Sequence, residues 1–244
     1  MKRVFSILAI VITAFLLAYA FYEAIWVAPT ERTMGDVQRI FYYHVPSAWT
    51  AFLLFFVNLI ASVTYLIRGN AKADAIAVVS AEAGVVFCTV VLVTGPIWAR
   101  PVWGIWWTWD IRLTTTLVLW LIYVSYLVLR RFSESSQTPK LAAVLAIFGA
   151  LDVPLVYFSI WFFRTQHPQP VIGGGGSIDP RMLHVLLLNW LAFSCFAFLL
   201  GWVRYRLEML RRAVEETEAL ESLLDSGSAV QISKAKISLS RGAQ

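Results

Sequence analysis

Apolar residues in this chain do not alternate with polar ones. They gather in six long runs separated by short polar stretches, at about 4–22, 49–67, 76–98, 113–129, 141–163 and 182–203. Each run approaches the roughly 20 residues that a helix needs to cross a bilayer. In lipid the backbone must satisfy its own hydrogen bonds, so such runs predict helices. The expected fold is all-α: a polytopic membrane protein with six transmembrane helices within residues 1–203. A charged helix at 204–225 and a disordered tail at 226–244 should follow. An outer tryptophan-rich interfacial segment, 103–114, is expected in the connection after the third span.

The polar residues punctuate this pattern. Arg68-Gly69-Asn70 reads as a short turn, and Asp110 stands where it can cap the fourth helix. Asp179 is the cap and Pro180 the first position of the sixth. The glycines at 173–176 read as a flexible linker. Pro46 suits the first turn of the second helix, which puts His44 at that helix's outer mouth. Within the spans, Asn58 is expected to hydrogen-bond a neighbouring helix. Asp152 serves the defect that Pro154 makes in the fifth. Glu82 in an apolar span is a functional candidate by default, or else a protonated or helix-paired carboxyl.

Composition and charge sharpen the class. Hydrophobic residues make up 59% and charged ones 14% of 244 residues, with a mean hydropathy of +0.69, which excludes a soluble domain. The net charge of +5 is no nucleic-acid signal, because the basic residues cluster at span ends, where orientation is decided. With the N-terminus inside, eleven Lys and Arg fall on the inner side and six on the outer, which favours two cytoplasmic termini. Lys2-Arg3 followed by an apolar run and Ala18-Tyr19-Ala20 imitates a secretory signal, but the run's length favours an uncleaved first span. Cys88 and Cys195 fall inside spans with no CxxC or CxxCH spacing, as buried packing residues would. No fixed-period repeat, P-loop, HExxH or GxSxG motif is present.

The densest chemistry is WGIWWTWDIRLT at 103–114, with Trp103, Trp106, Trp107 and Trp109 inside seven residues. As a helix it would place Trp103, Trp106, Trp107 and Asp110 on one arc, a flat aromatic shelf ending in a carboxylate. The competing reading is a membrane-interface aromatic belt, which explains one or two tryptophans better than four. Parity then decides what faces the shelf. The connections after spans one, three and five emerge on one side, and they carry His44, the shelf and His167. Indoles can cover a porphyrin while neutral imidazoles ligate its iron. Arg100 or Arg112 can offset its propionates. A lone interfacial histidine is ordinarily a surface residue, and His184 can simply bond across helices. Spacing does not choose two of the three, although His44 and His167 stand at loop ends, where adjustment is easiest.

At these residues the chain resembles the tryptophan-rich (WWD) haem-handling membrane proteins of cytochrome c maturation. Residues 103–114 match WGxxWxWDxRLT at every fixed position. The six-span size, FYYHVP around His44 and a histidine soon after the fifth span resemble the CcmC type. The resemblance covers roughly 40–203. It implies a haem-binding subunit, not an enzyme, on the inner (cytoplasmic) membrane of a bacterial-type cell. Its site would be periplasmic, with haem b as transient cargo passed to the chaperone CcmE. It further implies His44 and His167 as axial ligands of the haem iron, His184 excluded, and an ABC-type complex with CcmA, CcmB and CcmD. ATP hydrolysis would belong to a partner. Lipid would be the surroundings, and no nucleic acid a partner.

Two other classes compete. A membrane cytochrome moving electrons, such as a quinol oxidoreductase subunit, calls for histidines within the spans on both sides of the bilayer. All three here are expected on the outer side. A permease needs a polar midplane path, for which only Asn58, Glu82, Asp152 and Asn189 are available.

Overall fold

A computed structural model of the chain describes residues 2–133, 135–163, 165–169 and 178–241, and among these the side chains between 4 and 224. Six α-helices account for the architecture: α1 (Lys2–Tyr22), α2 (Phe41–Arg68), α3 (Ala71–Trp103), α4 (Ile111–Phe132), α5 (Thr138–Phe162) and α6 (Pro180–Arg241). Every one contains a stretch long and apolar enough to cross a membrane. Large apolar side chains such as Phe5, Phe15, Phe56, Phe148 and Phe198 point outward and exposed. That is the reverse of a soluble protein and suits lipid. The chain divides into two compact units, Met1–Val203 and Arg204–Gln244.

In the first unit, α2 packs along α3 and α5, and α4 along α5 and α3. Lipid gives little hydrophobic drive for helices to associate, so close approach of small residues must do it. α3 supplies Ala73, Ala75, Ala77, Ala81, Ala83 and Gly84 to that purpose. A Cβ at Gly84 would come within 2.5 Å of the Phe55 ring. Phe55 in turn stacks on Tyr123 at 3.9 Å between ring centres and 13° between planes. Asn58 donates to the Ala77 carbonyl at 2.6 Å, the interhelical bond expected of it. At the other end, Arg130 grips Asp74 through two 2.7 Å bonds and lies over the Tyr126 ring. α6 joins this unit through Asn189, which donates to Ala20 at 3.2 Å, and through Trp190, edge-on to Trp49.

Three expectations change. α2 begins at Phe41, eight residues before the apolar run, because a 3-10 turn at Asp36–Ile40 feeds straight into it. Pro46 therefore sits inside the helix, where it removes only the bond that the carbonyl of residue 42 would have accepted. His44 follows it inward: it lies within the helix and is buried, not at an open mouth. α3 does not end with its apolar run at residue 98 but continues through Pro101 to Trp103, with Pro96 also inside it. There Gly104 takes φ +80°, a left-handed cap whose N–H bonds the Arg100 carbonyl at 3.0 Å. That cap breaks the helical arc expected for the tryptophans, and residues 104–110 run as an irregular connection.

Asp110 caps α4 as expected, its side chain accepting the Leu113 N–H at 3.1 Å. Gly69 at φ +62° closes the turn between α2 and α3. The four glycines at 173–176 lie outside the described residues. In the second unit the backbone is helical to Arg241, across most of the stretch read as a disordered tail. No proline interrupts residues 225–241. Its charges pair at helical spacing: Glu208 accepts from Arg212 at 2.8 Å and from Arg204 at 3.4 Å, and Arg211 meets Glu215 at 3.0 Å.

Candidate functional site

The start of α2, the end of α3, the start of α4 and the segment after α5 meet at one end of the bundle and enclose a cavity of about 430 Å³. Its wall includes His44, Trp103, Trp107, Arg112, Tyr157 and His167. Parity of the spans had brought the same connections together, and the geometry closes them on one space.

His44 reaches the wall from the second turn of α2. Its Nδ1 lies 2.8 Å from the Thr94 hydroxyl and its ring stands edge-on to Trp98. Across the cavity, His167 is presented by an irregular segment. Its N–H bonds the Thr165 hydroxyl at 3.1 Å, and its Nδ1 donates to the Pro168 carbonyl at 2.9 Å. The two imidazole centres are 6.5 Å apart, with planes tilted by 33°. Burial pushes the His167 imidazolium down to about 4, and the Arg112 guanidinium adds to that; the Pro168 carbonyl and Asp110 oppose it. The ring is therefore neutral at pH 7 and keeps a lone pair on Nε2.

The tryptophans divide. Trp103 and Trp107 line the cavity. Trp109 turns its edge to Trp107 at 5.7 Å and opens onto a neighbouring shallow groove with Leu92, Pro96 and Leu117. Trp109 is 77% exposed and Trp106 59%. The two arginines divide as well. Arg112 lines the cavity and makes long bonds of 3.4 and 3.5 Å to the carbonyls of Val156 and Tyr157. Arg100 turns away and donates to the Gly104 carbonyl, tying down the end of α3. Asp110 is occupied as a cap and also accepts from Thr108 at 3.0 Å. His184 does not line the cavity.

The site also draws on residues that the sequence reading passed over. Gly95, Trp98, Ala99 and Val102 continue a cavity-facing stripe along α3 from Cys88, Val91 and Leu92, spaced by three and four. Met34 arrives from the first outer connection, where the Glu31 carboxylate accepts the N–H groups of Met34 at 2.6 Å and Thr33 at 2.8 Å. Those bonds hold the Glu31 carboxyl below its ordinary range, the Met34 N–H contributing most. Among the described residues no cluster of three His, Cys, Asp or Glu forms a separate metal site.

The sequence matches the family model for heme exporter protein C over residues 1–220. The chain belongs to the heme exporter protein C (CcmC) family. Its relatives include a heme exporter protein C of Bradyrhizobium diazoefficiens, 35% identical over 213 residues that make up 86% of this chain and 81% of the relative. The Escherichia coli K12 heme exporter protein C is 34% identical over 71% of this chain and 69% of its own. A putative cytochrome c biosynthesis ccmC-like mitochondrial protein of Marchantia polymorpha is 37% identical over 77% and 79%.

Proposed function

We propose that the cavity binds haem b as transient cargo, with His44 and His167 as its axial ligands, and releases it to the periplasmic chaperone CcmE. Family membership supports the coarse part, a role in haem handling for cytochrome c maturation. The observation that carries the rest is the facing pair of imidazoles. Two imidazoles on opposite sides of one metal, each nitrogen at about 2 Å, have ring centres about 6 Å apart. The 6.5 Å between the His44 and His167 rings is close to that.

The remaining residues take parts that suit this cargo. Trp103 and Trp107 cover apolar porphyrin surface. Arg112 has charge to spare within an apolar wall and meets a propionate. Asp110 holds the start of α4, and with it Arg112, in place. The exposed Trp106 and Trp109 present the face that an incoming chaperone touches. Arg100 supports this platform from behind and does not meet the cargo.

The lysine and arginine distribution supports a periplasmic position for this end of the bundle and a cytoplasmic one for both termini. The protein then acts as a transport subunit of the inner membrane. It works within an ABC-type assembly with CcmA, CcmB and CcmD, where ATP hydrolysis in a partner drives release. Coordination bonds are reversible, so the cargo leaves once that conformational change parts the two ligands. Co-expression with CcmE, CcmA, CcmB and CcmD tests this, by counting haem on purified CcmE. Wild-type protein should load the chaperone, and His44→Ala or His167→Ala should not. Full loading by both variants would overturn the reading.

A further inference from the structure

We propose that Thr94 sets the tautomer of His44, so that the ring's Nε2 is the nitrogen with the free lone pair. The inference rests on the haem reading for its purpose, but its evidence is a chain of hydrogen bonds. A threonine hydroxyl has one proton to give. Thr94 gives it to the Val90 carbonyl one turn back, at 2.6 Å; the Val91 carbonyl is farther, at 3.5 Å. Towards His44 Nδ1, 2.8 Å away, the hydroxyl then has only lone pairs to offer. The ring must supply the hydrogen. Nδ1 carries it, and in the neutral imidazole Nε2 is left as the acceptor.

The surroundings hold the ring to that arrangement. Gly95, the next residue, has no side chain, and a Cβ there would stand 3.4 Å from His44 Cε1. Trp98, one turn on, meets the ring edge-on with centres 5.8 Å apart. His167 reaches the same tautomer by another route. The Pro168 carbonyl, 2.9 Å from its Nδ1, can only accept. Two residues on different elements thus deliver two Nδ1–H, Nε2-ligating rings to one cavity. Thr94 is a positioning residue, acting through His44 as an outer hydrogen-bond partner acts on a metal-ligating histidine.

The test uses the full chain in detergent, labelled with 15N-histidine, with the His44 signals identified by their loss in His44→Gln. Thr94→Val keeps the shape and removes the hydroxyl; Thr94→Ser restores it. In haem-free wild type and Thr94→Ser, His44 should show the Nδ1–H form. In Thr94→Val it should move towards the Nε2–H form, and haem titrated by its visible spectrum should bind about tenfold more weakly or worse. An unchanged tautomer in Thr94→Val would overturn the proposal, as would equal losses of affinity in the Val and Ser variants. The tautomer is read without haem. Failure of the haem reading would instead show as a wild type that binds none.

Discussion

His44 and His167 face each other with ring centres 6.5 Å apart, although one rides on α2 and the other on an irregular segment beyond α5. Each has its Nδ1 engaged by a different neighbour, the Thr94 hydroxyl and the Pro168 carbonyl. On the proposed reading this is the pair that holds the haem iron.

Acid should release haem later than an ordinary histidine would allow. Protonation occupies the ligating lone pair, and His167 is held down to about 4 from an ordinary 6.5. Haem binding should therefore stay level from pH 8 to about 5 and fall as the pH approaches 4. The stability of the empty protein has the same sign. Between 6.5 and 4 the unfolded chain takes a proton that the folded one refuses, so stability declines as pH falls through that window. A titration followed at the Soret band checks the first point; a midpoint near 6.5 would contradict it.

The two arginines should behave differently. Arg112→Gln removes a cation from the cavity wall and should weaken haem binding tenfold or more, given roughly 1.5–3 kcal/mol for a hydrogen bond to a charged group. Arg100→Gln should leave the affinity unchanged, because that side chain is committed to the Gly104 carbonyl. Haem titration of the purified variants compares them. Equal losses in both would deny Arg112 its special position.

The tryptophans should split by exposure. Trp107→Ala opens the cavity and should cost haem affinity, while Trp106→Ala should leave binding intact and slow delivery to the chaperone. Binding spectra set beside CcmE loading distinguish the two effects. A Trp106 variant that loads CcmE normally would show that this exposed indole has no part in docking.

Away from the site, Gly84 should not tolerate a side chain. Its Cβ position falls 2.5 Å from the Phe55 ring, inside the stack with Tyr123. Gly84→Ala should lower stability by about 1–3 kcal/mol, the usual cost of overpacking a tight core. Thermal unfolding in detergent measures it, and an unchanged midpoint would mean the ring moves freely.

Most of the fold can be read from periodicity, because six lipid-length apolar runs allow little but six helices. The site was legible in part. Parity alone gathers the connections that carry His44, Trp107, Arg112 and His167. The rest depends on two local facts that the pattern hides. Pro46 and Pro96 look like helix boundaries, yet both lie inside helices, and so His44, Thr94 and Trp98 came to sit on helical faces turned to one another. Gly104 looks like any glycine among tryptophans, yet its left-handed turn ends α3 and sends Trp106 and Trp109 outward. Arg100 and Arg112 could not be told apart by spacing, since each lies near a helix end. Only the direction taken by each side chain separates them.

The most direct measurement is a visible spectrum of purified protein co-expressed with CcmE, for wild type and for His44→Ala, His167→Ala and His184→Ala. A Soret band is expected in wild type and His184→Ala, weakened or shifted in each of the other two. Loss in His184→Ala with His167→Ala unaffected would contradict the ligand pair. A wild type that never carries haem would contradict the cavity's cargo altogether.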